Sequence, residues 1–177
     1  MLRDLKKSSL LAVEPDAFGG VRMAWAELLR HGVDPHKDLF RLEFSGFPVE
    51  RIAYAVQEGR FEAGTFRTGV LERLHREGKI DLRQFRVLNQ KNYSHFPLLL
   101  STELYPEWPF ARTKNATAEM TEKVTIALLK LTENSTPAVH AGIHGFTVPL
   151  DYQKVHELYK RLRVGPYQEL GKVRLED

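Results

Sequence analysis

Glu14-Pro15-Asp16-Ala17-Phe18-Gly19-Gly20-Val21-Arg22-Met23-Ala24-Trp25 is the stretch on which the reading of the fold turns. Before it stands a short apolar run, Leu10-Leu11-Ala12-Val13, and after it Val21, Trp25, Leu28 and Leu29 fall at the spacing of one helical face. Gly19 and Gly20 therefore sit where a strand passes into a helix. Backbone N–H groups at such a turn lack partners and the helix dipole favours negative charge there, so the turn is suited to an anion. Glycine removes the Cβ that would block a close approach. A tight strand-to-helix turn that simply needs small residues explains the pair equally well.

Working outward, the same alternation repeats. Residues 39–44 read as a strand, followed by the turn Ser45-Gly46-Phe47-Pro48, with Pro48 as the first residue of a helix whose inner face is Ile52, Ala53 and Val56. Residues 61–66 read as a third strand, and Thr68 as the N-cap of a helix carrying Val70, Leu71 and Leu74. A fourth strand is expected at 85–89 and another apolar strand at 96–100. Strands alternating with amphipathic helices imply an α/β layer with a mostly parallel sheet. Beyond the linker Gln90-Lys91-Asn92-Tyr93-Ser94-His95 the chain changes character. Asn115 is expected to cap a helix to about Leu131, a short helix follows near 137–141, and Asp151 is expected to cap a last helix lined by Val155, Leu158, Tyr159 and Leu162.

Composition narrows the function classes. The 177 residues are 42% hydrophobic and 28% charged, as in a globular protein, with a net charge of +3. Lys and Arg are scattered, so no nucleic-acid face is indicated. With no cysteine, disulfides, thiolate metal sites and cysteine catalysis are excluded. His140 and His144 are four apart, but Gly142 and Gly145 interrupt any helix there and no metal site is expected. No nucleophile elbow, Walker lysine or kinase motif is present, and no cofactor is implied. No signal peptide or bilayer-long apolar run is evident.

In an open α/β sheet, ligands bind beyond the carboxyl ends of the strands. Three turns fall on that edge, at 16–20, 45–48 and 66–68, each beginning a helix. Arg67 and Thr68 add a guanidinium fork and a hydroxyl at the third. The convergence points to an oxyanion site, while an ion-paired arginine and a plain cap remain the simpler alternatives.

Several runs together resemble a known family. Asp16-Ala17-Phe18-Gly19-Gly20, the run Ala55-Val56-Gln57-Glu58-Gly59-Arg60-Phe61-Glu62-Ala63-Gly64 and Ser101-Thr102-Glu103-Leu104-Tyr105-Pro106-Glu107-Trp108-Pro109 are similar to the phosphonate-binding type of periplasmic solute-binding domain. More narrowly, Arg67-Thr68-Gly69-Val70-Leu71-Glu72 and Val148-Pro149-Leu150-Asp151-Tyr152-Gln153-Lys154-Val155-His156-Glu157-Leu158 resemble the sensory domain of tetrathionate-type sensor histidine kinases. The resemblance implies a type 2 periplasmic-binding-protein-like α/β fold whose two lobes close on a small oxyanion in the periplasm. It implies a complete lobe at 8–97, part of the other lobe at 98–167, and tails at 1–7 and 168–177. A first-lobe segment and a kinase are implied elsewhere in a longer parent protein, and self-association is expected to cover apolar faces left without sheet partners. Ala17, Phe18, Gly19 and Gly20 match the family's hydroxyl-rich anion loop; with Phe18 and Gly19 in place of hydroxyl residues, backbone N–H groups must bind. Val49 stands beside Phe47 and Pro48 where transport relatives carry a ligand-binding histidine. The sensor branch then makes Arg67, with Thr68, the leading contact, and sets His95 on the hinge. The expected function is an extracytoplasmic anion sensor of a two-component system. The rivals are the receptor of an anion importer and an enzyme on the same fold.

Overall fold

The computed structural model describes residues 1–106, 108–169 and 171, so most of the expected tail beyond 169 lies outside the described residues. The chain divides into two compact units, one made of Met1–Leu104 with the stretch from Lys154 on, the other of Tyr105–Gln153.

The first unit is mixed α/β around a small parallel sheet, as the alternation predicts. Strand β1 (Ser9–Ala12) is central, with β2 (Arg41–Phe44) and β3 (Ala63–Gly64) parallel on either side, in the order β2-β1-β3. All four β1 residues are buried, which is why this strand reads as a continuous apolar run rather than an alternating one. Register assigns the faces. Leu10 is level with Leu42 and Ala63, and these pack with Leu28 of helix α1 (Met23–Arg30). Leu11 points the other way, into a cluster with Ile52 and Ala55 of helix α2 (Glu50–Gln57). The two helices thus cover opposite faces, and the chain leaves β1 toward one neighbour and returns to the other side, making a topological switch between β1 and β3. Helix α3 (Val70–Arg76) packs through Leu74 against Ala53 of α2 and Ile80.

Four expectations need correction. The strand expected at 61–66 is ladder-paired only at Ala63–Gly64, because the Glu62 side chain, not a neighbouring strand, accepts from both the Ser9 amide (2.8 Å) and the Ser9 hydroxyl. Neither 85–89 nor 96–100 is a strand. Arg86, Val87 and Leu88 are held off the β3 edge by a cleft, and the Leu99 amide donates to the Glu72 carboxylate (2.6 Å) instead of a ladder carbonyl. Thr68 does not cap α3, whose N-cap is Gly69 in the left-handed region (φ 86°). Pro48 precedes α2, which begins at Glu50 after Val49.

One buried carboxylate ties the segment after residue 88 to α1. Glu27, 3% exposed, accepts from Asn89 Nδ2 (2.8 Å) and pairs with Lys91 Nζ (3.0 Å) and Arg30 Nη1 (2.9 Å). Arg30 also reaches Glu103 (2.9 Å). Burial pushes the Glu27 carboxyl up, but the hydrogen bond and charge of Lys91, with the hydrogen bonds of Arg30 and Asn89, bring it below the ordinary glutamate value.

In the second unit, helix α4 (Ala118–Leu129) is capped by Thr117, two residues after the expected Asn115, with Thr117 Oγ1 accepting from the Met120 amide (3.2 Å). No α4 residue is buried. Helix α5 (Thr136–Ala141) follows. Helix α6 (Gln153–Leu162), which from Lys154 on belongs to the first unit, starts where Asp151 accepts from the Gln153 amide, and it buries Leu158 and Leu162. Among the described residues no helix is long and apolar enough to cross a membrane.

Two outcomes follow from this packing. A Cβ on Gly64 would stand 2.5 Å from Cγ2 of Ile52, a fully buried side chain with nowhere to retreat, so Gly64→Ala is expected to lower stability by about 2 kcal/mol in denaturant unfolding. Glu27→Gln leaves Lys91 and Arg30 without their carboxylate. Both cations keep about a third of their exposure, so the expected loss is roughly 2–3 kcal/mol, below that of a fully buried pair. Because the folded pKa of Glu27 is depressed, its contribution is present at neutral pH and lost as pH falls below the reference 4.5 and through the folded value. Midpoints of wild type and E27Q are therefore expected to converge on acidification.

Candidate functional site

The switch between β1 and β3 brings two turns together beyond the strands' carboxyl ends. After β1 the chain runs into a π-helical turn, Phe18–Arg22, that continues as α1. Its widening is visible at Ala17, whose carbonyl accepts from both the Val21 and the Arg22 amides at 3.0 Å. Such widened turns recur at functional sites. After β3 the Thr65 amide donates to the Leu11 carbonyl (3.0 Å), holding the start of the 65–69 turn against β1.

Between these turns opens a cleft of 480 Å³ that runs along the free edge of β3. Gly19, Arg67, Thr68 and Gly69 line its carboxyl end. Gly19 and Arg67 are packed so closely that a Cβ on Gly19 would meet Arg67 Cγ at 3.3 Å. The absence of a side chain at Gly19 is what lets the arginine stem lie against the turn. Asp4, Glu62 and Arg86 line the cleft toward the strands' amino ends. The acidic groups nearest the sheet are already engaged: Glu62 with Ser9, Glu27 in the Lys91–Arg30 cluster, Glu72 with the Leu99 amide. Of these, Glu27 is paired with cations while Glu62 and Glu72 accept from neutral donors, and the Arg67 end carries a guanidinium, a hydroxyl and a glycine turn.

The other expected site residues lie elsewhere in the unit. Ala17 packs on the Leu11–Ile52 cluster, and Gly20 is buried with Val13 only 2.9 Å from where its Cβ would be. The Phe18 ring lies 5.9 Å from that of Tyr159 on α6. Phe47 is exposed, next to a cis Phe47–Pro48 bond, and His95 is exposed beside the Tyr93 ring (6.5 Å). None of Ala17, Phe18, Gly20, Phe47, Pro48 and His95 lines the cleft. Among the described residues no group of three His, Cys, Asp or Glu side chains is placed to hold a metal ion.

Sequence reading missed Gly69 and Glu72. A glycine directly before the apolar positions of α3 is a signal for a left-handed cap that a preceding threonine masked. A glutamate that anchors an amide 27 residues away leaves no local pattern.

Comparison with known proteins accords with the resemblance read from the sequence. Over 165 residues, 93% of its length, the chain is 31% identical to the tetrathionate sensor histidine kinase TtrS of Salmonella typhimurium (strain LT2), of which the match covers 26%. The chain thus spans about a quarter of that relative. Residues 1–154 match the family model described as ABC transporter, phosphonate, periplasmic substrate-binding protein. With the parallel α/β unit in place and most of its length matched, the chain belongs to the phosphonate periplasmic substrate-binding family.

Proposed function

We propose that this chain is the extracytoplasmic sensory domain of a two-component sensor histidine kinase and that it responds to a small oxyanion. The observation that carries the reading is the meeting of Gly19 with Arg67 at the β1–β3 switch, with Thr68 lining the same cleft. A guanidinium and a hydroxyl beside a glycine turn at a helix start are complementary to an oxyanion. Family membership supports an extracytoplasmic location, and the relative's own name, a tetrathionate sensor, makes tetrathionate the first anion to try.

On this reading residues 8–97 form one lobe and 98–167 part of a companion lobe. The α4 side chains Met120, Val124, Ile126 and Leu129, all exposed, support such a companion, since a helix that buries nothing has little reason to be amphipathic or stable alone. Ligand-driven closure would bias a hinge equilibrium read by a kinase in the parent protein. Phe47, Pro48 and His95, exposed and outside the cleft, are candidate contacts on closure. The second reading, a receptor for an oxyanion importer, is favoured by the description of the matching family. An adjoining kinase in the same reading frame selects the first reading; a neighbouring permease and ATPase select the second.

The test is a thermal-shift screen of tetrathionate, thiosulfate, sulfate, phosphate and phosphonates. An anion held at a hundredfold excess over its Kd stabilises by about 2.7 kcal/mol, or roughly 5–10 °C in Tm for a chain of this size. Arg67→Ala is expected to remove that shift without lowering the Tm of the unliganded protein by more than about 2 °C, because Arg67 is exposed. A hit of equal size in the variant excludes Arg67 as the contact.

A further inference from the structure

A second cavity, of 260 Å³, lies on the sheet face that α1 covers, walled mainly by hydrocarbon from residues such as Ala12, Val21, Leu42 and Phe44. Arg22, Trp25 and Thr65 also line it, together with the polar residues Asp16 and His36. Each of the first three carries a polar side-chain atom shut away from solvent with no hydrogen-bond partner: Nε of Arg22, Nε1 of Trp25 and Oγ1 of Thr65. Among the described residues no other buried side-chain nitrogen or oxygen is left so. That all three belong to one cavity, though they come from two separate turns, is the observation that matters.

Local geometry explains how they meet. Arg22 and Trp25 are three apart at the start of α1 and so share a side of it. Thr65 is two residues after Ala63, so it stands on the same sheet face as Ala63 and Leu10, the face α1 covers. Neither large side chain is loose. The Arg22 guanidinium lies over the Tyr159 ring at 4.9 Å, and the Trp25 ring meets His36 edge-on at 4.5 Å. Buried donors are nearly always paired in folded proteins, and leaving one unpaired is costly.

Two of the three are obligate donors, one of them cationic, and the hydroxyl can donate as well. They call for an anion with several lone pairs on one head group. The hydrocarbon walls call for an apolar tail. Asp16, exposed at the rim, and the hydrocarbon walls both penalise negative charge, so a single charge set against the Arg22 guanidinium is favoured over a double one. We propose that this cavity is a second binding site, for a short-chain monocarboxylate. Its carboxylate accepts from Arg22 Nε, the Trp25 indole N–H and the Thr65 hydroxyl, and its alkyl tail lies against Leu42 and Phe44. The site backs onto the cleft through Leu10, Ala24, Leu28 and Thr65, which line both. It does not use Arg67, so it stands independently of the oxyanion reading.

The chain has two tryptophans, Trp25 and Trp108, so the indole N–H signals of the ¹⁵N-labelled full chain make a direct probe, assigned with Trp25→Phe. Titration with sodium butyrate is expected to move the Trp25 signal saturably and leave that of Trp108 in place. Sodium sulfate at matched ionic strength is expected to move neither. Thr65→Val, nearly isosteric, and Arg22→Gln are each expected to weaken half-saturation about tenfold, while Arg67→Ala leaves the titration unchanged. The proposal is overturned by a butyrate response that is absent or unsaturable up to tens of millimolar, which would mean that water fills the cavity. It is equally overturned by a response that survives intact in both T65V and R22Q, that sulfate reproduces, or that disappears in R67A. Folding of each variant is read from the dispersion of the remaining amide signals in the same spectra.

Discussion

The parallel pairing of β1 on both of its edges is the constraint from which the first unit follows. Four consecutive buried residues hydrogen-bond to β2 on one side and β3 on the other, so the strand's two faces must each be covered by a helix. Register then does the rest. Leu10, Leu42 and Ala63 look toward α1, Leu11 looks toward α2, and the turn leaving β1 is set beside the turn leaving β3. Without the β1–β3 pairing, Gly19 and Arg67 would have no reason to be neighbours. The anion chemistry assigned to that corner is a product of backbone order first and side-chain identity second.

Polar groups are disposed around this frame with some economy. Carboxylates that intrude on the cleft are each given a fixed task. Glu62 substitutes for a ladder rung beside Ser9, Glu72 receives an amide from the 98–100 segment, and Glu27 gathers Lys91, Arg30 and Asn89. The depressed pKa of Glu27 shows that its partners outweigh the cost of burying it. All three carboxylates are thus held in place, and one of them, Glu27, is also neutralised by cations. Arg22, Trp25 and Thr65 present the opposite case: their buried donors have no internal acceptor, and they lie together.

The alternating α/β order, the parallel sheet and the helix-facing residues Leu28, Ile52, Ala53 and Leu74 were legible because apolar spacing is a local property. Turn positions at 16–20 and 66–68 were legible too, from glycine and from a strand running into a helix. What could not be read depended on partners distant in sequence. Residues 85–89 have the apolar content of a strand, but pairing requires a free edge within reach, and the cleft intervenes. Residues 61–66 look like six strand positions, yet Glu62 satisfies Ser9 by itself and shortens the ladder. Thr68 is an ordinary cap by type, and Gly69 displaces it through a conformation that only the three-dimensional turn demands. At the cleft, the turns that carry Gly19 and Arg67 are placed on one edge by the strand order, but the side-chain contact between them is tertiary and leaves no trace in either segment alone.

Gly64 carries one more implication. Its missing side chain lets Ile52 of α2 rest directly on the main chain of β3, with no intervening layer of compressible rotamers. A displacement of that helix therefore reaches the strand undamped, and Arg67 is only three residues further along the same rigid track. The helix on the far face of the sheet thus bears on the strand that leads to Arg67 through bare backbone rather than through any bridging side chain.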